Sequence, residues 1–478
     1  MRKWVAAGVA VLALGAIWTS AAWVTGKRLE SGMTRLADSV NQQARQLGAS
    51  LDESLSFEQV SYERGVFASQ ARYRLKAQPS PGDGAAAAGR DVEFVVRLAH
   101  GPFPWQRLSR GNLIPVMTAA RAELVSTPAV EPWFAAARGA IPLTASAVAG
   151  YGRDITASLA LAPLERVRGA ARFNFSGLTL QAELAGGGKH VAVALRADHI
   201  DLAEPFTKAG ADRMRRLALQ DLSIAHEMTR ADDGTAASQT RASLKQWTLD
   251  IDGKPVTLRD VAVTADASGA DTAKRGALAL RIAGVDLNGQ RAASLRLDAS
   301  ANNLDLVSFR AFRESLEQPR DGGDLSAKMV GAGYLMKFLL GQPQVSVSSL
   351  RVETASGAAT LLLDLGLTAP TLWNRSPAAV VKEAVRQLDI RLSMPVASLA
   401  DLIAARLQAG GIAEDLARDA ARQQADGLRD QVLRGPWGRL DDGRLVASLS
   451  YQGGDVDVNG ERMPVERFLA LLISRGVP

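Results

Sequence analysis

Apolar and polar residues alternate with a period of two along most of the chain from Ser56 onward. A period of two is typical of β-strands that bury one face and expose the other to water. Few helical patterns separate these runs before residue 307, and parallel strands would need helical crossovers between them. The sequence therefore predicts an α+β fold, predominantly β, with a long curved antiparallel sheet. The alternating runs cover residues 72–76, 91–98, 155–162, 172–184, 191–202, 217–228, 256–267, 278–287, 295–306, 345–352 and 359–367.

Helical periodicity returns late in the chain, mainly between residues 306 and 434. Gly410 and Gly411 interrupt the longest helical pattern, so we expect two helices with a break at this glycine pair. In the first of the two, an apolar stripe predicts the buried face, with Leu399, Leu402, Ile403 and Leu407. The predicted helices cover residues 306–317, 325–340, 378–388 after Pro377, two segments of 396–433, and 465–473.

The N-terminal segment, residues 4–24, carries no charge and consists almost entirely of apolar side chains. About 20 apolar residues in a helix span the hydrocarbon core of a bilayer. The segment therefore predicts a single-pass transmembrane helix within residues 1–26, with a short cytoplasmic tail and the bulk of the chain exported. A cleavable signal peptide ending near Ala22 is the alternative. The apolar character continues through Trp23 and Val24, which favours a retained anchor.

Residues 27–50 follow the anchor and carry apolar residues spaced by three, four or seven. This spacing predicts an amphipathic stalk helix that lies on the domain above it. The segment has room for only three heptads, so self-association through a coiled coil is the alternative. Residues 51–478 are then expected to form one extended β-rich domain outside the membrane. The apolar positions of the stalk are Leu29, Met33, Leu36, Val40 and Leu47.

The composition argues against binding to nucleic acid and excludes cysteine chemistry. The net charge is +6 over 478 residues, and aromatic residues make up 5% of the chain. The basic residues are scattered rather than clustered, so the sequence does not indicate binding to nucleic acid. Cysteine is absent, which excludes disulfides, thiolate nucleophiles and cysteine metal ligands.

No residue pattern indicates a catalytic, metal or cofactor site. The four histidines are His100, His190, His199 and His226. Asp198 neighbours His199, but strand alternation places the two on opposite faces, where they cannot share a metal ion. Residues 186–189 resemble the end of a phosphate-binding loop, but His190 stands where that motif needs Ser or Thr. We therefore expect no cofactor and a protein that is not an enzyme.

Two short blocks of sequence are more specific than these patterns. The first is Tyr62-Glu-Arg64-Gly65-Val-Phe67, and the second is His100-Gly101-Pro102. Together with a Thr-Gly-Lys sequence that ends the anchor, they make the chain resemble the YdgA family (DUF945), bacterial proteins of unknown function. The resemblance implies a single-pass protein of the inner membrane with the bulk of its chain in the periplasm. It supplies no catalytic residues.

The residues of both blocks are interpreted as structural. Gly65 separates two alternating segments, so we expect it to adopt a positive φ and permit a tight turn between two strands. Tyr62 and Phe67 would then meet across the strand pair. Arg64 would donate hydrogen bonds to loop carbonyls, with a ligand role as the alternative. In the second block the proline ends a strand, and His100 caps that strand.

Two functional hypotheses remain. The first is a structural or interaction protein of the cell envelope that acts through its surfaces, alone or as a dimer. The second is a protein that binds or transfers lipid, or another hydrophobic ligand, along the apolar face of its sheet. The hypotheses differ in whether the late helices cover that face, and we expect coverage because large exposed apolar patches are uncommon. The candidate groove residues are Leu278, Leu280, Ile282, Leu295 and Leu297.

Overall fold

The computed structural model describes most of the chain that follows the predicted stalk. The described residues are 53–65, 68–79, 91–100, 103, 111, 113–208, 211–317, 325–371, 377–435 and 437–474. The predicted anchor (1–26) and stalk helix (27–50) lie outside these ranges. Within the ranges, no helix combines the length and the apolar character that a membrane span requires.

Two compact units divide the described chain. Unit 1 comprises the described residues up to Thr207 together with Ala218–Thr229, and unit 2 comprises Lys208–Leu217 together with the described residues from Arg230 onward. The strand pairs in both units are antiparallel, as the alternating runs predicted. The predominantly β, antiparallel class with late helices is therefore confirmed.

The strands of unit 1 form an antiparallel ladder with one short helix beside it. The elements are β1 (Glu53–Arg64), β2 (Ala68–Pro79), β3 (Val92–His100), β4 (Thr118–Leu124), α1 (Glu131–Ala136), β5 (Leu143–Ala149), β6 (Ile155–Leu161), β7 (Leu164–Arg168), β8 (Ala171–Phe175), β9 (Leu178–Ala185) and β10 (His190–Lys208). Strands β1 to β6 pair in chain order, and β6 then pairs with β9 and β9 with β10. The β7–β8 hairpin joins the ladder through β8, which pairs with the later part of β10. Strand β11 (Ala211–Arg230) contributes residues to both units.

The apolar face of unit 1 is a buried core. In β2 the side chains of Tyr73 and Leu75 are buried, and the residues between and beside them are basic. The rings of Phe57 and Tyr73 stack across the β1–β2 pair with their centroids 5.0 Å apart. Val130, just before α1, belongs to the buried cluster, and Trp133 of α1 packs against it. Each such buried side chain stabilises the unit by roughly 1.5–3 kcal/mol.

Unit 2 contains all of the late helices that the structure describes. Its elements are β12 (Ala236–Ile251), β13 (Lys254–Gly269), β14 (Lys274–Leu287), β15 (Gln290–Leu304), α2 (Leu306–Glu317), α3 (Leu325–Leu340), β16 (Gln344–Thr354), β17 (Gly357–Leu367), α4 (Pro377–Ala384), β18 (Val385–Pro395), α5 (Val396–Ala409), α6 (Glu414–Leu433), β19 (Arg439–Asp441), β20 (Arg444–Gln452), β21 (Asp455–Val458), β22 (Glu461–Pro464) and α7 (Val465–Ser474).

Most strands of unit 2 also pair with the next strand along the chain. Strands β12 to β18 pair in order, β18 then pairs with β20, and β20 to β22 complete the series, with β19 beside the start of β20. Asp252-Gly253 joins β12 to β13 and Asn288-Gly289 joins β14 to β15. All four of these residues have positive φ, which is the conformation that two-residue hairpin turns of this composition adopt.

Several predicted elements agree with the structure at the level of single residues. Helices α2 and α3 cover the predicted residues 306–317 and 325–340. The predicted break at Gly410-Gly411 separates α5 from α6. Asp305 explains the sharp start of α2, because its carboxylate accepts hydrogen bonds from the amide and the hydroxyl of Ser308, at 3.0 and 2.6 Å.

Other predictions were wrong in their boundaries. The helix predicted over 378–388 ends at Ala384, and Val385 begins β18, whose Leu388 stands opposite Tyr451 of β20. The single run predicted over 172–184 is two strands, β8 and β9, broken at Gly177. Helix α1 and strands β4, β5, β7, β12, β19 and β22 were not predicted. In α5 the predicted apolar stripe is only half-buried, and the buried residues are Ser398 and Ala404.

Candidate functional site

The first sequence block lies at the hairpin that joins β1 and β2. Tyr62 stands opposite Ala71 and packs against the buried core of unit 1. Arg64 is exposed at the end of β1, opposite Ser69. Phe67 lies outside the described residues, so its contact with Tyr62 stays a prediction. The block therefore closes a hairpin and contributes Tyr62 to the core.

Gly65 is needed at this hairpin for a reason other than the expected one. Its φ lies outside the positive region, so the expectation of a positive φ was wrong. Its amide donates a hydrogen bond to the carbonyl oxygen of Ala68 at 2.8 Å. A Cβ at position 65 would lie 2.4 Å from that oxygen. The close approach of two backbone segments, rather than the backbone conformation, excludes a side chain here.

We expect Gly65→Val to lower the free energy of unfolding by about 1–3 kcal/mol, because the added carbon atoms force the hairpin backbone apart. Thermal unfolding of the full-length chain, followed by circular dichroism, measures the change. Gly150→Val is the matched control in the same unit, since a Cβ there would meet its nearest atom at an ordinary 3.7 Å. Equal midpoints for the two variants would contradict this account of Gly65.

The second block ends β3, as predicted, because the strand stops at His100. The backbone of His100 stands opposite Thr118 of β4. The hydroxyl of Thr118 donates a hydrogen bond to the carbonyl oxygen of Ala99 at 3.0 Å. Gly101 and Pro102 lie outside the described residues, so a capping role for His100 stays a prediction.

The remaining histidines offer no metal centre within the part of the chain that the structure describes. His190 Nδ1 lies 3.3 Å from Thr229 Oγ1 and 3.9 Å from a carboxylate oxygen of Glu227. The backbone amide of His199 donates a hydrogen bond to the hydroxyl of Ser176 at 2.8 Å. Among the described residues, no three His, Cys, Asp or Glu side chains are grouped closely enough to hold a metal ion.

The groove residues predicted from the sequence lie side by side on one face of unit 2. Leu280 of β14 stands opposite Val263 of β13 and Leu297 of β15, and residues directly opposite each other point to the same face. Three such rows cross β13–β17, and we call their members the apolar face. The rows are Val261, Ile282, Leu295, Val352 and Ala359; Val263, Leu280, Leu297, Leu350 and Leu361; and Ala265, Leu278, Ala299, Val347 and Leu363.

The other face of the same strands is largely polar. Arg281 stands opposite Arg296, and Arg296 stands opposite Arg351. Neighbouring strands lie about 4.8 Å apart, and two residues of a strand span about 6.7 Å, so the apolar face measures about 19 Å across the strands and about 13 Å along them. This part of unit 2 is an amphipathic sheet.

The apolar face is half exposed. Leu278 retains 39% of its accessible surface, and the other members are neither buried nor fully exposed. In β13–β17, where the structure describes every residue, Ala293 carries the only buried apolar side chain. The core residues Tyr73 and Phe94 of unit 1, by contrast, are 4% and 2% exposed. The described helices thus leave this face accessible, whereas we expected them to cover it.

Helix α5 meets the sheet at one end of the apolar face only. It contacts β14 to β18, and its first turn lies over Gly357, where a Cβ would approach the ring of Pro395 to 3.2 Å. Asp401 accepts a hydrogen bond from the backbone amide of Ser356 at 2.9 Å, in the turn between β16 and β17. Ala293, the buried residue of β15, lies at this same end of the sheet. The row that includes Leu280 and the row that includes Leu278 lie farther from the helix.

A cleft of about 270 Å³ opens between α5, α6 and the turn that joins β14 to β15. We call it the arginine cleft, since three of the four charged side chains that line it are arginines. The apolar part of the lining consists of Leu287 and alanines. The charged and amide side chains are Arg291, Arg418, Arg422, Asp401, Gln290 and Gln408.

The position of α6 follows from its buried alanines. Ala417, Ala421 and Ala425 recur every four residues and are almost fully buried, and α6 packs against α5. Such small side chains permit a close approach of the two helices. Arg418 and Arg422 each come one residue after a buried alanine, so they flank the helix contact and line the cleft.

Asp286 holds Arg291 at the wall of the cleft. The side chain of Asp286 is 6% exposed; it accepts a hydrogen bond from Arg291 Nε at 2.8 Å and another from Arg259 Nε. Arg291 Nη1 also donates to the carbonyl oxygen of Ala283 at 2.9 Å. Burial alone would raise the pKa of Asp286, but the hydrogen bonds and positive charges of the two arginines outweigh burial and hold that pKa below its usual range.

Sequence reasoning missed the residues of the arginine cleft. Arg418 and Arg422 lie four residues apart on a helix. Like charges at this spacing repel each other, and this unusual pair was the local signal that could have indicated an anion site. Arg291 meets Asp286 across the two-residue hairpin turn at Asn288-Gly289, which fixes the β14–β15 register and was a second local signal.

Comparisons with known proteins agree on one family and name no function. The model of a family described as "Bacterial protein of unknown function (DUF945)" matches residues 1–466. Protein YdgA of Escherichia coli (strain K12) is 27% identical over 492 residues, which cover 98% of this chain and 96% of YdgA. The uncharacterized protein YihF of the same organism is 28% identical over 170 residues, 35% of each chain. No solved structure matches the chain.

Proposed function

Because the chain belongs to the DUF945 family of bacterial proteins, whose function is unknown, we propose from its own geometry that the apolar face binds the acyl chain of a lipid. One observation carries the proposal: a continuous apolar surface on β13–β17 remains half exposed, although unit 1 buries its own apolar face. The largest exposed apolar patch of a soluble protein is often a functional surface.

Covering the apolar face with an apolar chain is favourable. The face spans about 250 Å² from the strand spacing, and removal of apolar surface from water contributes about 25 cal/mol per Å². The gross gain is therefore on the order of 6 kcal/mol, before the cost of ordering the ligand. Association itself costs on the order of 4–15 kcal/mol, so contact with this face gives at most weak binding, and other parts of the lipid must contribute to the affinity.

The chemistry of the apolar face favours a hydrocarbon over a polypeptide in extended form. All of its members are Ala, Val, Leu or Ile, which offer no side-chain hydrogen bonds. An extended peptide laid on them would lose water from its amide and carbonyl groups without gaining partners, which is costly. An acyl chain carries no such groups.

The proposal also includes the setting in which the protein acts. We place residues 1–26 in the inner membrane as a retained anchor and residues 51–478 in the periplasm. The uncharged segment 4–24 supports this placement. An anchor of this kind would keep the apolar face near a source of lipid. The proposed role is binding or transfer of lipid, without catalysis.

The first test traps the occupant of the apolar face in living cells. A photoreactive phenylalanine analogue replaces Leu280 in the full-length chain, and the control carries it at Arg281, on the other face of the same strand. After irradiation, mass spectrometry of the labelled peptide identifies what is attached. We expect lipid adducts at position 280 and none at position 281.

The other outcomes of this test contradict the proposal in different ways. A cross-link from position 280 to a second copy of the chain would make the face a dimer interface, as in the first functional hypothesis. A cross-link to an unrelated protein would make it a docking surface. Absence of any adduct at both positions would show that the face binds nothing.

We expect Leu280→Asp to leave the fold intact and to abolish lipid binding, because a carboxylate on a half-exposed face keeps contact with water but repels a hydrocarbon. Circular dichroism checks the fold, and photocross-linking from position 297, opposite Leu280, checks the ligand. Ala279→Asp adds the same charge to the other face and is the control. An unfolded Leu280→Asp protein would mean that the face is covered after all.

A further inference from the structure

Arginine side chains dominate the charged lining of the arginine cleft. Arg291, Arg418 and Arg422 line it, against a single carboxylate, Asp401. Asp401 is turned toward the sheet, where one of its oxygens accepts a hydrogen bond from the amide of Ser356 at 2.9 Å. The charges that face the interior of the cleft are therefore mainly guanidinium groups.

The guanidinium groups keep hydrogen-bond donors for a ligand. Arg418 donates to Glu414 through one terminal nitrogen, and the shortest approach between Arg422 and Asp419 is 3.9 Å, which is too long for a hydrogen bond. The side chains of Arg418 and Arg422 are 54% and 73% exposed. A guanidinium has five donors, so most of those on α6 are available among the described residues.

Carboxylates that do not line the cleft partly neutralise its arginines. Glu414 pairs with Arg418 on α6, and a carboxylate oxygen of Asp419 lies 3.9 Å from Arg422. Asp286 fixes the guanidinium of Arg291 with a hydrogen bond of 2.8 Å. An oxyanion bound beside the three would accept paired hydrogen bonds from the planar guanidinium groups.

The arginine cleft lies at the end of the apolar face. Leu278, Leu280 and Ile282 of that face belong to β14, and Leu287, the last residue of the same strand, lines the cleft. Five residues of strand from Ile282 to Leu287 span roughly 17 Å. The alanines of α5 and Leu287 give the cleft an apolar wall beside its arginines.

We propose that the arginine cleft binds a phosphate group, and that this phosphate is the headgroup of the lipid whose acyl chain lies on the apolar face. The identification of the phosphate as a lipid headgroup rests on the proposed function. The binding of a phosphate anion by Arg291, Arg418 and Arg422 does not, because it follows from the charges and donors of the cleft.

The test compares three probes on the full-length chain, kept in an amphipathic polymer without detergent. The probes are dihexanoyl phosphatidic acid, dihexanoylglycerol, which lacks the phosphate, and inorganic phosphate. Isothermal titration calorimetry measures each Kd. The variant is Arg418→Gln with Arg422→Gln, and the control is Arg429→Gln, which removes one positive charge from α6 outside the cleft.

We expect phosphatidic acid to bind more tightly than dihexanoylglycerol. The double variant should weaken the binding of phosphatidic acid by about tenfold or more, because it removes charge-assisted hydrogen bonds to the phosphate. It should leave dihexanoylglycerol unaffected, and Arg429→Gln should change neither Kd.

Failure of this inference and failure of the proposed function give different results. Equal binding of both lipids, insensitive to the double variant, would overturn the phosphate site and leave the apolar face as the lipid site. Arginine-dependent binding of inorganic phosphate, without binding of dihexanoylglycerol, would support the phosphate site and overturn the lipid assignment. Absence of binding by all three probes would overturn both.

Discussion

Replacing Phe94 by Ala should destabilise unit 1 by about 3–5 kcal/mol, the loss typical of removing a large aromatic side chain from a close-packed core. Phe94 is 2% exposed and stands between Tyr73 of β2 and Leu124 of β4. Its removal leaves a cavity among residues that belong to three strands, so the neighbours cannot close it by a local movement. Hydrogen exchange of the β2, β3 and β4 amides measures the loss within this unit.

Val167→Ala is the matched control for Phe94→Ala. Val167 lies on β7 of the same unit and is 63% exposed, so its truncation should change the free energy of unfolding by no more than about 0.5 kcal/mol. If the β2, β3 and β4 amides are equally protected from hydrogen exchange in the two variants, the β2–β4 face is not a packed core. The apolar faces of unit 1 and unit 2 would then not differ in burial.

Asp286→Ala should destabilise unit 2 by about 2 kcal/mol. The carboxylate is 6% exposed and accepts hydrogen bonds from Arg259 and Arg291, and hydrogen bonds to charged groups contribute about 1.5–3 kcal/mol each. The side chains of Arg259 and Arg291 are 46% and 57% exposed, so water compensates part of the loss and keeps the cost in the lower part of that range. Urea unfolding at pH 7 measures it.

The effect of Asp286→Ala should depend on pH in a defined direction. Because the folded-state pKa of Asp286 lies below its ordinary value of 3.8, its stabilising contribution is complete above that value and disappears as pH falls through the folded-state pKa. The stability difference between the wild type and the variant should therefore be constant from about pH 5 to pH 7 and shrink below about pH 4.

Asp298→Ala is the control for Asp286→Ala. Asp298 accepts a hydrogen bond from Arg296 Nε at 2.9 Å on the neighbouring strand β15, and these side chains are 30% and 65% exposed. An ion pair of this exposure contributes about 0–1 kcal/mol. A loss at Asp298 as large as that at Asp286, or a difference at Asp286 that grows toward acid, would contradict this account of Asp286.

Local patterns were sufficient to predict much of the fold. The limits of α2 were predictable because Asp305 caps the helix and the apolar periodicity begins directly after it. The limits of α4 were not, since Val385 and Leu388 fit a helical spacing as well as a strand. Pairing of β18 with β17 and β20 stabilises the strand conformation at these residues. Such long-range pairing leaves no signal in the local sequence.

The candidate site was predictable only in part for the same reason. Strand alternation placed Leu278, Leu280 and Ile282 on one face, and the register of β13–β15 agrees. Whether a helix lies over them depends on where α5 docks, which the apolar stripe of that helix did not reveal. The arginine cleft as a whole could not be predicted from the sequence, because most of its residues come from two strands and two helices that meet only in the folded unit.

The order of strand pairing in unit 2 has a consequence for how the chain folds. Strands β12 to β15 are joined by short turns, so their contacts are local in sequence, and proteins with such low contact order fold fast. Three steps differ: β16 must find β15 across α2 and α3, β18 must find β17 across α4, and β20 must find β18 across α5 and α6, with the longest loops in the first and last steps. Closing these longer loops costs more conformational entropy, and this cost precedes the stabilisation that strand pairing provides. As the chain is synthesised, the β12–β15 ladder can form first, and the β15–β16 and β18–β20 pairings then limit the rate at which the unit is completed.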